Sequence, residues 1–144
     1  MKNIMIILSS LRQFGTEITD DPHRRPGCLE LIKARDTNFV KIINPENLHL
    51  IQLLKNQLHE GEAEAIALAQ QEKAPILLID EAEGREVAKS YNIPVIGVIG
   101  ILAAAKKTGE IESMKTELDS LIQRTSFRVS RIMYDKALEM SGEL

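Results

Sequence analysis

The sequence has few of the residues on which specialised sites are often built. It contains one cysteine, Cys28, and three histidines in 144 residues. No disulfide can therefore form within the chain, and no thiolate zinc site can be assembled. There is no tryptophan, and aromatic residues make up only 3% of the sequence. We expect an aliphatic core, a reducing compartment and no aromatic platform for stacking the bases of single-stranded nucleic acid.

A basic excess and a long apolar run are also missing. The net charge is -3 at pH 7, whereas proteins that hold nucleic acid only by its backbone usually carry a clear positive charge. Contact with nucleic acid would therefore use a local basic patch, or metal ions at an acidic site. The apolar run at residues 4–8 is too short to span a membrane and no signal-peptide cleavage site follows it. We expect a cytoplasmic protein without a membrane anchor.

Short β-rich runs alternate with helical patterns along the chain. We predict strands at residues 4–8, 39–43, 74–80 and 93–95, and helices at 28–34, from Asn44, from Gly61, at 81–91, 97–107, 113–124 and from Ser130. The run at 74–80 is continuously apolar, which is typical of a parallel strand covered on both faces. This alternation predicts one α/β domain over residues 1–144, with a mostly parallel sheet between layers of helices.

Acidic residues are placed where such a fold usually has its site. Asp80 ends the apolar run, at the edge where open α/β sheets bind ligands. Glu62 and Glu64 lie at the start of the preceding helix, so their carboxylates could meet that of Asp80 if the crossover is regular. Converging carboxylates need a cation to neutralise them, and oxygen ligands favour Mg²⁺ or Mn²⁺. Each position also has an ordinary explanation, because acids in a first turn stabilise the helix dipole.

Several segments, taken in order, resemble the VapC-like branch of the PIN-domain superfamily. They are GEAEAIALA at 61–69, LLIDE at 77–81, GREVA at 84–88, IGVIGIL at 96–102, AKKTG at 105–109 and the tail over 126–139. The resemblance implies a three-layer α/β/α fold and cleavage of RNA by water that is activated by Mg²⁺ or Mn²⁺. Many members form homodimers, and many are toxins held by a small antitoxin protein, so the resemblance implies both kinds of partner.

The resemblance also implies the roles of individual acids. Glu62 matches the acid of the family's central helix, and Asp80 matches the acid that ends the following strand. Both would hold the metal ion or the attacking water. Glu17, in the segment FGTEI at 14–18, matches an earlier family acid. The predicted catalytic set is therefore Glu17, Glu62 and Asp80.

The N-terminus departs from the family pattern. The family opens with a strand that ends in Asp, whereas the run at 4–8 continues into Ser9 and Ser10. Either that Asp is lost, or the first strand and its helix are absent. The nearby segment Arg25-Pro26-Gly27 favours the second alternative, so we expect an incomplete N-terminal part and an oligomer. The alternative function is a catalytically inactive PIN-like module that binds nucleic acid or protein. A nucleotide-binding regulator has little support, because no Gly-rich phosphate loop is present.

Overall fold

The computed structural model describes the backbone of residues 6–9 and the whole of residues 28–144. These residues form two compact units, Met1–Val95 and Ile96–Leu144. The elements of the first unit are β1 (Ile6–Ser9), α1 (Cys28–Asp36), β2 (Val40–Ile43), α2 (Leu48–Leu54), α3 (Glu60–Gln71), β3 (Leu77–Leu78) and α4 (Ala82–Ser90). Strand β4 (Val95–Ile96) follows, and then α5 (Val98–Thr108), α6 (Met114–Arg124) and α7 (Arg131–Ser141). The chain is therefore mixed α/β, as the sequence predicts.

Two short sheets lie in the first part of the chain. Strands β1 and β2 are parallel, with Ile6 opposite Val40 and Ser9 opposite Ile43. Strands β3 and β4 form the second sheet. The Leu77 N–H of β3 donates to the carbonyl of Pro94, the residue before β4, at 2.7 Å. The parallel pairing of β1 with β2 is the one expected of strands joined through a helix.

Helix α3 is the element that holds the first unit together, because it contacts β1, β3 and α2. Its small residues Ala63 and Ala67 are buried and allow neighbouring backbones to approach closely. Ile66 on the same helix is fully buried, as is Leu54 of α2. Burial of such a side chain contributes about 1.5–3 kcal/mol. The buried core of this unit consists of Ile51, Leu54, Leu58, Ala63, Ile66, Ala67, Ala69, Ile79, Val87, Ala88 and Ile93.

Left-handed residues end five helices and turn the chain into the next element. They are Asn38, Lys73, Asn92, Gly109 and Gly142, with φ between 49° and 77°. In each case the next N–H donates to the carbonyl five residues earlier, as Ala74 does to Ala69 at 2.9 Å. These bonds satisfy carbonyls that the helix itself leaves unpaired. Three of the turns directly precede the segments that lead into β2, β3 and β4.

The prediction that the strand at 74–80 is covered on both faces is wrong for the described residues. Strand β3 is only two residues long, and Ile76 and Leu78 are about half exposed, at 49% and 51%. Successive side chains of a strand point to opposite faces. Ile79 is buried while Leu78 is exposed, so one face is covered and the other is open to solvent. The apolar run therefore reflects coverage on one side rather than two.

The predicted helix start at Asn44 is also wrong. Helix α2 begins at Leu48, and the cap is Asn47, whose side chain accepts the Leu50 N–H at 3.0 Å. Residues 44–47 instead run past the end of α3, where the Glu46 N–H donates to the Gln71 side chain at 2.9 Å. A tertiary hydrogen bond thus decides between two asparagines that are equally suitable as helix caps.

The second unit consists of three helices, and α5, α6 and α7 all contact one another. Its buried core is Met114, Leu118, Ala137 and Leu138. The sequence predicts that residues 97–105 are mostly core, with part of them as an alternative dimer face. None of the residues of α5 is fully buried, and Ile101 is 41% exposed. Its apolar residues instead pack at the edge of the small core, as Ile99 and Leu102 do.

The Glu143 carboxylate holds the C-terminal end of the chain against the start of α6. It accepts the N–H of Met114 at 2.7 Å and of Lys115 at 3.0 Å, and the Ser113 hydroxyl at 2.9 Å. Lys106 lies 3.1 Å from the same carboxylate. The hydrogen bond from the Lys115 backbone is the largest cause that lowers the pKa of Glu143 from 4.5 to about 2. The carboxylate thus occupies the positive end of the α6 dipole.

We expect Glu143→Gln to lower the melting temperature at pH 7 by roughly 3–6 °C, because a charged acceptor is replaced by a neutral one. A lowered folded-state pKa stabilises the fold above the unfolded value of 4.5, and this contribution is lost as the pH falls toward 2. The difference between the two proteins should therefore shrink between pH 4.5 and pH 2 in thermal melts. Glu139→Gln, at an exposed position of α7, is the control. An equal difference at pH 7 and pH 2 would show that the Glu143 charge contributes nothing.

Candidate active site

Glu62 lies in the first turn of α3 and is the buried charged residue of the described part of the chain, with 8% of its surface exposed. The helix begins at the N-cap His59, whose Nδ1 accepts the Glu62 N–H at 3.4 Å. The other ring nitrogen of His59, Nε2, lies 3.4 Å from Glu62 Oε2. Glu62 Oε1 is buried and has no hydrogen-bond partner among the described residues. The histidine therefore orients the carboxylate through one oxygen and leaves the other unpaired.

Gly84, in the first turn of α4, allows this helix to lie against the Glu62 carboxylate. A Cβ atom at this position would stand 3.0 Å from Glu62 Oε1 and 2.6 Å from the Cδ1 atom of Ile79. In folded proteins a Cβ atom essentially never lies as close as 2.6 Å to another atom, so a side chain at this position would force Ile79 to move. The unpaired oxygen thus faces the start of a helix, where the dipole favours negative charge.

Asp80 lies in the turn between β3 and α4, and it is exposed. The turn leads into α4, where a Cβ atom at Gly84 would stand 3.0 Å from Glu62 Oε1. Glu62 and Asp80 therefore approach the start of the same helix, Glu62 from α3 and Asp80 along the chain. That the two acids lie at one edge of the sheet stays a prediction.

The remaining acids do not complete a metal-binding set in the described part of the chain. Glu17 lies outside the described residues. Glu64 is half-buried, and Glu81 occupies the N-cap position of α4 without a side-chain hydrogen bond to that helix. No group of three or more His, Cys, Asp or Glu residues that could hold a metal ion occurs among residues 28–144. The unpaired Oε1 of Glu62 is a suitable ligand for a cation, because Mg²⁺ and Mn²⁺ prefer carboxylate oxygens.

Comparison with known families fixes the classification. A family model described as a PIN domain matches residues 13–143. The chain belongs to the PIN-domain family. Members of this family are nuclease-like and commonly bind nucleic acids. No curated protein and no solved structure shows significant similarity to the chain.

The N-terminal part of this PIN domain was expected to lack the Asp that ends the family's first strand. Strand β1 ends at Ser9 and not at an acid, and it precedes residues 13–143, which the family model matches. The absence of an earlier strand and helix stays a prediction, as does the extent of a single domain over residues 1–144. No helix among the described residues is long and apolar enough to cross a bilayer.

Two further side chains, Lys106 and His59, have contacts within their own units. Lys106, near the end of α5, donates to the Glu112 carbonyl and pairs with Glu143. His59 is exposed and caps α3. Its contact with the Glu62 side chain was missed. The signal was present as His-x-x-Glu at a helix start, because residues three apart are neighbours on a helix.

Proposed function

We propose that this PIN domain is a ribonuclease that depends on Mg²⁺ or Mn²⁺ and hydrolyses phosphodiester bonds of RNA. The observation that carries the proposal is the buried Glu62 carboxylate, whose Oε1 has no partner among the described residues. Leaving a buried charged oxygen unpaired costs more than about 1–3 kcal/mol. A bound cation would remove this cost, so a metal-binding role explains an arrangement that is otherwise unfavourable.

Glu62 and Asp80 are the residues that would hold the cation, with Glu17 as the proposed third acid. When bound, such an ion neutralises the acids, activates a water molecule and stabilises the charge on the phosphoryl group. Glu62 enters this site already oriented, because His59 contacts one oxygen and Gly84 leaves room for the other. Asp80 is exposed, in the segment that leads into α4.

The proposed partners follow from the same family membership. RNA is the proposed substrate, a small antitoxin protein is a proposed regulator, and the cytoplasm is the proposed location. Self-association is proposed on a separate observation, the exposed apolar side chains of the C-terminal helix and the residues after it. These are Ile132 at 82%, Met133 at 43%, Met140 at 71% and Leu144 at 76%. Large exposed apolar patches often mark surfaces of interaction between proteins.

The proposal is tested with a uniformly labelled, unstructured RNA that is incubated with the protein in millimolar Mn²⁺ or Mg²⁺. We expect internal cleavage that stops when EDTA removes the metal. Cleavage that continues undiminished in EDTA would contradict the metal-dependent mechanism.

A catalytically inactive PIN module is the second candidate, because β1 ends at Ser9 rather than at an acid. This alternative predicts RNA or protein binding without cleavage. RNA that is bound in Mn²⁺ but stays intact over long incubation would favour it over the nuclease.

A further inference from the structure

Cations are concentrated around the connection between α6 and α7. Arg124 ends α6, Arg128 lies in the connection, and Arg131 and Lys136 lie on α7. All four are exposed, Arg131 with 83% of its side chain accessible. Between residues 120 and 136 the sequence has one acid, Asp135. We call these four residues the basic patch; it stands out because the chain as a whole has a net charge of -3.

Most of the charge of the basic patch is not neutralised by neighbouring acids. Arg131 pairs with Asp135 at 2.9 Å, whereas Arg128 donates only to backbone carbonyls, at 2.9 Å to Phe127 and 3.4 Å to Thr125. Arg124 and Lys136 have no ion pair among the described residues. Four lysines outside the basic patch are paired with acids: Lys55 with Glu60, Lys89 with Glu86, Lys106 with Glu143 and Lys115 with Asp119.

The surroundings of the basic patch also contain little negative charge that could repel an anion. A shallow depression of about 370 Å³ lies beside it, lined by Asp119, Ile122, Val129, Arg131 and Tyr134. The acid in this depression is already engaged, because Tyr134 donates to Asp119 Oδ1 at 2.6 Å and Lys115 donates to Oδ2 at 2.7 Å. Helix α7 has no acid in its first turn, so the positive end of its dipole adds to the field.

We propose that the basic patch binds the phosphodiester backbone of RNA. Planar guanidinium groups bind phosphate oxygens through paired hydrogen bonds, and three arginines occur here within eight residues. Arg128 is held by carbonyls that leave its charge available, and the stacking of Arg131 over the Tyr134 ring, at 5.9 Å, limits its freedom. The identity of the polyanion as RNA rests on the proposed nuclease function, whereas the charge of the patch does not.

The patch is tested by fluorescence anisotropy with a labelled 20-nucleotide RNA in EDTA, so that binding is measured without cleavage. The variant is Arg124→Gln/Arg128→Gln/Arg131→Gln, and the control is Arg35→Gln/Lys55→Gln/Lys89→Gln, which removes the same charge from exposed positions of the first unit. We expect the patch variant to bind at least about tenfold more weakly in 50 mM salt, and its log–log salt slope to fall by about 2. The control should retain most of the affinity. Circular dichroism establishes that both variants are folded.

Four outcomes decide the test, and the last two separate the patch from the nuclease. Equal weakening by both triple variants would overturn the patch, because only net charge would then matter. Poly-glutamate that binds the parent protein as tightly as RNA would also overturn it, since the surface would then fit an acidic protein. Metal-dependent cleavage by the parent protein with no loss of RNA affinity in the patch variant would leave the nuclease intact and remove the patch. RNA binding that depends on the patch, with no cleavage in Mn²⁺, would support the patch and contradict the nuclease.

Discussion

Glu62→Gln is expected to lower Mn²⁺-dependent RNA cleavage by at least about 100-fold while leaving the folded protein as stable as before, or more stable. The two parts of this prediction have one cause. Glu62 is buried, and its Oε1 has no partner among the described residues. A neutral amide of the same shape is cheaper to bury than a carboxylate, but it is a much poorer ligand for a cation.

The combination distinguishes a functional acid from a structural one. Glu60→Gln is the matched control, because Glu60 is in the same turn of α3 and its side chain is 54% exposed. It should change neither cleavage nor stability by much, since exposed ion pairs contribute about 0–1 kcal/mol. Cleavage is measured per folded molecule, and stability by urea denaturation. A Glu62→Gln protein that loses more than about 2 kcal/mol and keeps its cleavage rate would show that Glu62 serves the fold alone.

Gly84→Val is expected to destabilise the protein by about 2–3 kcal/mol and to reduce cleavage in the molecules that remain folded. The first carbon of the new side chain would meet Ile79 at 2.6 Å and Glu62 Oε1 at 3.0 Å. Because Ile79 belongs to the core of the first unit, it can move only by disturbing its neighbours. The same displacement would push the Glu62 carboxylate away from the start of α4.

The control for this prediction is Ala82→Val, at an exposed position of the same helix. It introduces the same β-branched side chain and should cost only about 0.5 kcal/mol through helix propensity. Urea denaturation of both variants gives the comparison. Equal losses of stability would show that the close contact between Gly84 and Glu62 is not what limits substitution at this position.

The sequence predicted best the features that depend on neighbouring residues. The helix predicted from Ser130 is capped by that residue, and the helix predicted at 97–107 ends at Thr108, one residue later. These choices are local, because a cap bonds to N–H groups two or three residues away. The start of α2 was misplaced because Asn44 and Asn47 are both good caps, and Gln71, distant in sequence, decides between them. The strand at 74–80 was wrongly predicted to be covered on both faces, because coverage depends on packing against distant residues and not on the local sequence.

The site was predicted in part for the same reason. Glu62 and Asp80 came from the family resemblance together with their positions at a helix start and a strand end. The approach of Gly84 to Glu62 could not be predicted, because it depends on how closely α4 packs against α3. The basic patch was missed because the overall charge of -3 conceals it. A search of short windows would have found it, since residues 124–136 contain four cations and one acid.

The central claim is that Glu62 and Asp80 hold a divalent cation. It is tested most directly by titrating Mn²⁺ into the protein in a calorimeter at neutral pH, with Asp80→Asn as the comparison. We expect the parent protein to bind Mn²⁺ and the variant to bind it at least about tenfold more weakly, because a charged oxygen ligand is lost. Absence of binding by the parent protein, or equal binding by both proteins, would contradict the account.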